Sequence, residues 1–190
     1  MNKKIINNTT LDIPVIQWEG TKKLKWGDFK KISSHDNKAS AISAIGFQSK
    51  PLIEYIKNNN KHRFKIKDMQ FYAIFIPIYS WYRKKTPKKE QVLLLKHEQG
   101  HFDLAEEITR KERKKINNYF QNKIFDVVGK SEVIAIKNSI DKVNTIRNKI
   151  ESKLQEEFEI QETNYDYETN HGLNKINQKI YDKRFKKLRK

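Results

Sequence analysis

Thr86-Pro87-Lys88-Lys89-Glu90-Gln91-Val92-Leu93-Leu94-Leu95-Lys96-His97-Glu98-Gln99-Gly100-His101-Phe102 is the stretch where the chain changes its period. Thr86 before Pro87 fits an N-cap and a first helical residue, because proline lacks an N–H that the first turn leaves unpaired anyway. Val92, Leu93, Leu95, Phe102, Leu104, Ala105 and Ile108 then recur at near-helical spacing. The pattern predicts a helix over about 87–120.

Upstream, the spacing suits strands. Residues 13–29 carry Ile13, Val15, Trp18, Leu24, Trp26 and Phe29, punctuated by Pro14 and Gly20, and predict short strands and turns. Residues 39–49 place Ala41, Ser43, Ile45 and Phe47 on one face of a strand. Asn58-Asn59-Asn60 marks a loop. Phe64 to Tyr82 is the strongest β region, alternating at Phe64 and Ile66, then apolar on both faces, with Pro77 as a corner.

Downstream, Ser131-Glu132 opens a second helix with a near-heptad stripe of Val133, Ile136, Ile140, Val143, Ile146, Ile150 and Leu154. Two such helices, joined by a turn near Gly129, can pack antiparallel. Thr163 to Gly172 breaks the periodicity and predicts a loop. Leu173, Ile176 and Ile180 begin a short terminal helix with a basic outer face. The sum is an α+β fold on a single domain of 1–190. An N-terminal antiparallel sheet region (1–85) precedes long antiparallel helices (86–190).

Hydrophobic residues make up 36% and charged residues 33%. The core must therefore come from a few concentrated apolar segments. Forty Lys and Arg against 23 Asp and Glu give a net charge of +17. Such a surplus can attract polyanions, but it is scattered, and no nucleic-acid-binding signature organises it. The densest patch is Lys175 to Lys190, with eight Lys/Arg and only Asp182 against them. No 18-residue apolar run suggests a membrane span. Ile5-Ile6-Asn7-Asn8-Thr9-Thr10 after Lys3-Lys4 is not the apolar core of a signal peptide. With no cysteine, any transition metal must be held by histidines and carboxylates, which suits Zn2+.

His97-Glu98-Gln99-Gly100-His101 supplies such ligands. Residues four apart share a helix face, so His97 and His101 can direct imidazole nitrogens to one point. Glu98 is angularly near both and can act as general base on a metal-activated water. A chance HExxH arises in about one chain in a hundred of this composition. Here it also falls where capping and periodicity independently predict a helix. Gly100 costs roughly 1 kcal/mol against alanine in a helix interior. Close approach of another segment, or of substrate, is one reason to keep it. The metzincin extension is missing: ten residues after His97 stands Glu107, and Leu104 stands where that longer motif has glycine. Glu106 and Glu107 are assigned to an exposed charged face. His35 and His62 read as solvated loop histidines. His171 ends Tyr165-Asp166-Tyr167-Glu168-Thr169-Asn170-His171-Gly172. It is either a third ligand, returned by the antiparallel helix, or a histidine in a turn before glycine.

Leu95 to Glu106, followed by Tyr165-Asp166-x-x-Thr169-x-His171-Gly172, resembles the DUF922-type family of predicted secreted zinc-dependent proteases, in its Bacteroidetes-type variant. Leu24-Lys25-Trp26-Gly27-Asp28-Phe29 matches the Trp-x-Asp-Phe element of that family, although Lys30-Lys31-Ile32 replaces the usual Gly and Pro after it. The resemblance implies a zincin-like metallopeptidase core and a peptide or protein substrate. It implies His97, His101 and His171 as zinc ligands and Glu98 as the catalytic residue. Tyr165 is then a candidate for stabilising the tetrahedral intermediate, and Asp166 for orienting a ligand histidine. It further implies a periplasmic or secreted location. Two competing readings stand beside it: an inactive zincin-like binding module and a basic polyanion-binding protein.

Overall fold

A computed structural model of the chain describes residues 2–7, 13–33 and 40–189. The chain forms β1 (Asn2–Asn7), β2 (Ile16–Gln17), β3 (Lys31–Ser33), β4 (Ala41–Ile42), β5 (Ile45–Asn58), β6 (Lys61–Phe75) and β7 (Trp81–Arg83). Helix α1 (Lys88–Phe120), strand β8 (Phe125–Val127), helix α2 (Glu132–Thr169) and helix α3 (Lys175–Lys186) follow. The larger sheet has the order β1-β5-β6-β2, with β8 also on β6. The smaller has the order β3-β7-β4, where β3 runs parallel to β7 and β4 antiparallel. The fold is thus α+β, with an antiparallel sheet followed by helices. No helix among the described residues is long and apolar enough to cross a membrane.

Contacts gather into two units. One holds β1, Gln48–Phe71 and Arg110–Leu154; the other holds the described residues of Asp12–Phe47, Tyr72–Thr109 and Gln155–Lys190. Strands β5 and β6 and helices α1 and α2 each lend a segment to both.

In the first unit, β1 pairs with β5 from Asn2↔Lys57 to Asn7↔Leu52. Alternation buries Ile53 and Tyr55 of β5, and Phe64 and Ile66 of β6. The inward face of β6 then slips to odd positions at Met69 and Phe71. There the backbone finds its partners on α1. Asn117 accepts from Met69 N–H at 2.9 Å and donates to its carbonyl at 3.2 Å. Arg113 donates to the Phe71 carbonyl at 2.6 Å. Side chains of a helix thereby satisfy backbone groups that would otherwise be unpaired. Strand β8, not foreseen in the helical half, pairs with β6 at Phe64↔Phe125, where the two rings stack 4.9 Å apart.

The α2 stripe also differs from expectation. Of the expected residues Val143 and Leu154 are buried, but Val133 is 77% exposed, and Ala135 and Ser139 take the inward positions of the first turns. A Cβ on Gly129 would meet Ala135 at 2.6–2.8 Å. The approaching chain therefore selects small residues on the helix face it touches.

In the second unit, Trp18, Leu24, Phe29, Phe75, Phe102, Leu104 and Ile108 form the core. The Trp-x-Asp-Phe element is a turn. Asp28 accepts the Lys25 N–H at 2.9 Å, Trp26 stacks on Tyr82 at 4.6 Å, and Phe29 meets Phe75 edge-on. Pro77–Tyr79 forms a 3-10 turn, the corner expected after the long strand. Ala41, Ser43, Ile45 and Phe47 are buried in alternation, as their spacing predicts, although β4 and β5 are separate strands.

The expected loop at Thr163–Gly172 is instead largely helix, since α2 continues to Thr169. Leu154, Phe158, Tyr165 and Thr169 are all buried at four- and seven-residue steps. The polar residues between them hide that stripe. Asn170, His171 and Gly172 then adopt φ of 46, 51 and 84°, which stops the helix. In α3 the inward residues are Gln178 and Phe185, whereas Ile176 and Ile180 are exposed, as is Leu173, which precedes the helix.

Candidate metal centre

Helix α1 starts where Thr86-Pro87 predicts, with Glu90 and Gln91 N–H groups donating to the Pro87 carbonyl. It carries His97 and His101 on one face, both buried, at 1% and 5% exposure. Their Nε2 atoms lie 3.2 Å apart. Asp166, from α2, places Oδ1 at 2.9 Å from His97 Nε2 and 3.2 Å from His101 Nε2. Within this unit His97 also meets Thr169 and His101 meets Glu162, so the two helices run antiparallel here.

Three ligand atoms on three residues therefore converge. Around zinc, with ligands at roughly 2.0–2.1 Å in a tetrahedral array, neighbouring ligand atoms sit about 3.3 Å apart. The observed separations lie at or slightly inside that edge. Two imidazoles and one carboxylate fit zinc chemically and leave a fourth position open.

Helix–helix fit explains how the atoms meet. A Cβ on Gly100 would lie 2.0 Å from the Tyr165 hydroxyl oxygen. Glycine there admits the Tyr165 ring, which stacks on His97 at 4.7 Å and 13°. A Cβ on Gly172 would lie 2.9 Å from His97 Cβ, in a left-handed conformation that favours glycine as well.

Tyr165 departs from its expected role. It is fully buried, donates to the His97 carbonyl at 3.2 Å and accepts from Gln178 Nε2 at 3.0 Å. Burial raises its pKa. It shapes the back of the site rather than facing a reactant. Gln178, from α3, also puts Oε1 at 3.3 Å from His97 Nδ1.

Asp166, expected behind a ligand, instead shares the convergence point with both Nε2 atoms. His171 lies at the rim. Its side chain is 71% exposed, and its Nδ1 is 3.7 Å from Asp166 Oδ1. Because α2 reaches the site as helix, Asp166 points inward and His171 falls just past the helix end.

Glu98 is 3% exposed, and Ser43 Oγ donates to its Oε2 at 2.6 Å. Both residues border a cleft of about 620 Å³, together with His97, His101, Asp166 and His171. Leu93, Leu94, Ile42 and Leu173 give it apolar walls.

The charges are coupled. Burial alone would raise the Asp166 pKa, but hydrogen bonds from His101 and His97 outweigh it and hold the carboxyl below its usual range. Burial alone would lower the His101 pKa, but the hydrogen bond to Asp166 and the charges of Glu98, Asp166 and Glu162 raise it. Burial, first of all, raises the pKa of Glu162.

Other sequence expectations resolve locally. His62 is not a loop residue; it lies in β6, half-buried, and bonds to the Tyr55 hydroxyl. His35 lies outside the described residues. Glu106 is buried rather than exposed, and Glu107 pairs with Arg184 at 2.8 Å. Glu162 and Gln178 are site residues that the sequence does not point to, and Ser43 and Thr169 are legible only as an inward strand position and a motif position. The one available signal was that Glu162 and Asp166 repeat the four-residue step of His97 and His101. No family model, curated protein or solved structure matches the chain.

Proposed function

We propose that the chain is a zinc-dependent hydrolase, a zincin-like metallopeptidase akin to the DUF922-type proteases, with His97, His101 and Asp166 as its zinc ligands. The observation that carries this reading is the 2.9–3.2 Å triangle of His97 Nε2, His101 Nε2 and Asp166 Oδ1. Zinc held there supplies a Lewis acid in a site open to substrate on one side. Glu98, oriented by Ser43, takes a proton from the attacking water on its carboxylate and returns it to the departing amine. Leu93, Leu94, Ile42 and Leu173 offer apolar walls to a substrate in the cleft. His171, at the rim, meets the substrate side rather than the metal.

A polyanion-binding role for the basic tail fits less well. Arg184 is committed to Glu107, and Arg189 to Asp103, which also accepts from Trp18 at 2.8 Å.

Metal analysis and a peptide-library digest of wild type and Glu98→Gln test the reading. The expected result is about one zinc per chain in both, with cleavage by the wild type alone. A zinc-loaded wild type that cleaves nothing identifies an inert binding module. Equal cleavage by Glu98→Gln removes the assignment of the base.

A further inference from the structure

His101 has an unanswered need. With Nε2 turned to the convergence point, its ring proton belongs on Nδ1, which must then find an acceptor. That Nδ1 is buried and makes no hydrogen bond of normal geometry. Glu162 Oε1 lies 3.3 Å from it. A modest turn of this carboxylate, whose side chain is 31% exposed, brings the bond into line. His97 shows the satisfied counterpart, with Gln178 Oε1 at 3.3 Å from its Nδ1.

We propose that Glu162 is a positioning residue, which accepts the His101 Nδ1–H and fixes the ring with Nε2 toward the metal. This rests on the zinc reading above. The two histidines then differ: His97 is held by a neutral amide from α3 and His101 by a carboxylate from α2. A carboxylate acceptor makes its imidazole the more basic ligand. Glu162 sits one helical turn before Asp166, so one face of α2 supplies both a ligand and the support of another.

Zinc affinity of the full chain, measured by competition with a chromophoric chelator, tests the assignment. Glu162→Ala should bind about tenfold more weakly or worse, in the range typical of outer partners of ligand histidines. Glu162→Gln, which keeps shape and an acceptor, should fall between Ala and wild type. Glu159→Gln removes the same charge from an exposed position one turn away and should bind like wild type. In cobalt-loaded protein, the visible bands should shift in Glu162→Ala and not in Glu159→Gln. Wild-type affinity in both Glu162 variants overturns the positioning role and leaves the zinc site standing. Equal weakening by Glu159→Gln assigns the effect to bulk charge and also overturns it. A wild type that takes up no zinc overturns both.

Discussion

The two halves of α1 turn polar side chains inward for different purposes. In the first unit, Arg113 and Asn117 are spent on the backbone of β6, each donor matched to one strand group. In the second, His97 and His101 aim their Nε2 atoms at each other and at Asp166. Polarity directed at backbone closes a structure. Polarity converging on one point from three side chains leaves a place for a ligand. The first kind should register in stability and the second in metal binding.

The largest expected effect is at the histidines. Zinc in excess should raise the melting temperature of the wild type, by linkage of about 4 kcal/mol at a thousand times its Kd. His97→Ala or His101→Ala should abolish that rise, as followed by calorimetry with and without zinc. Asn117→Ala is the converse case. It should lower stability by about 2 kcal/mol in urea unfolding, for the Met69 groups left unpaired, while the zinc-dependent rise persists. If Asn117→Ala erased the rise, or a histidine variant kept it, the contrast between the two halves would fail.

Gly100→Ala should come next. Crowding of Tyr165 costs roughly 1–3 kcal/mol, offset by about 1 kcal/mol of helix propensity. The net loss, about 1 kcal/mol by urea unfolding, should come with severalfold weaker zinc, because Tyr165 stacks on His97. A stabilised Gly100→Ala would mean that the Tyr165 contact is not as close as described.

The smallest effect is in the metal-free protein's pH dependence. The depressed Asp166 pKa contributes stability that is fully present above the ordinary Asp value of about 3.9 and is lost as pH falls through its folded value. The raised His101 pKa contributes stability that is fully present below about 6.5 and is lost as pH rises through its folded value. Chelator-treated protein should therefore gain most from this pair between those values. Asp166→Asn should flatten both limbs of a stability profile; an unchanged profile would show that the pair does not couple.

Much of this contrast was readable in the residues. The helix at Thr86-Pro87, the inward row of Ala41, Ser43, Ile45 and Phe47, and the corner at Pro77 follow from local geometry and period. So does the pairing of His97 with His101, which needs one helix only. The segment from Thr163 to Thr169 was harder, because its buried stripe is one tyrosine and one threonine among polar neighbours. A loop there leaves the direction of Asp166 open, whereas on α2 it faces the two histidines and His171 falls past the helix end. Ser43, Glu162 and Gln178 come to the site from the β4–β5 connection, α2 and α3, and no periodicity reports such encounters. Gly100 was legible as a point of close approach, but not which ring would fill it.

Zinc titration of Asp166→Ala beside His171→Ala decides which residue is the third ligand. The wild type should bind one zinc, and Asp166→Ala should lose affinity beyond the roughly 10–100-fold of an outer partner. His171→Ala should bind nearly as the wild type does. Zinc retained by Asp166→Ala and lost by His171→Ala would contradict the assignment of Asp166 as a ligand.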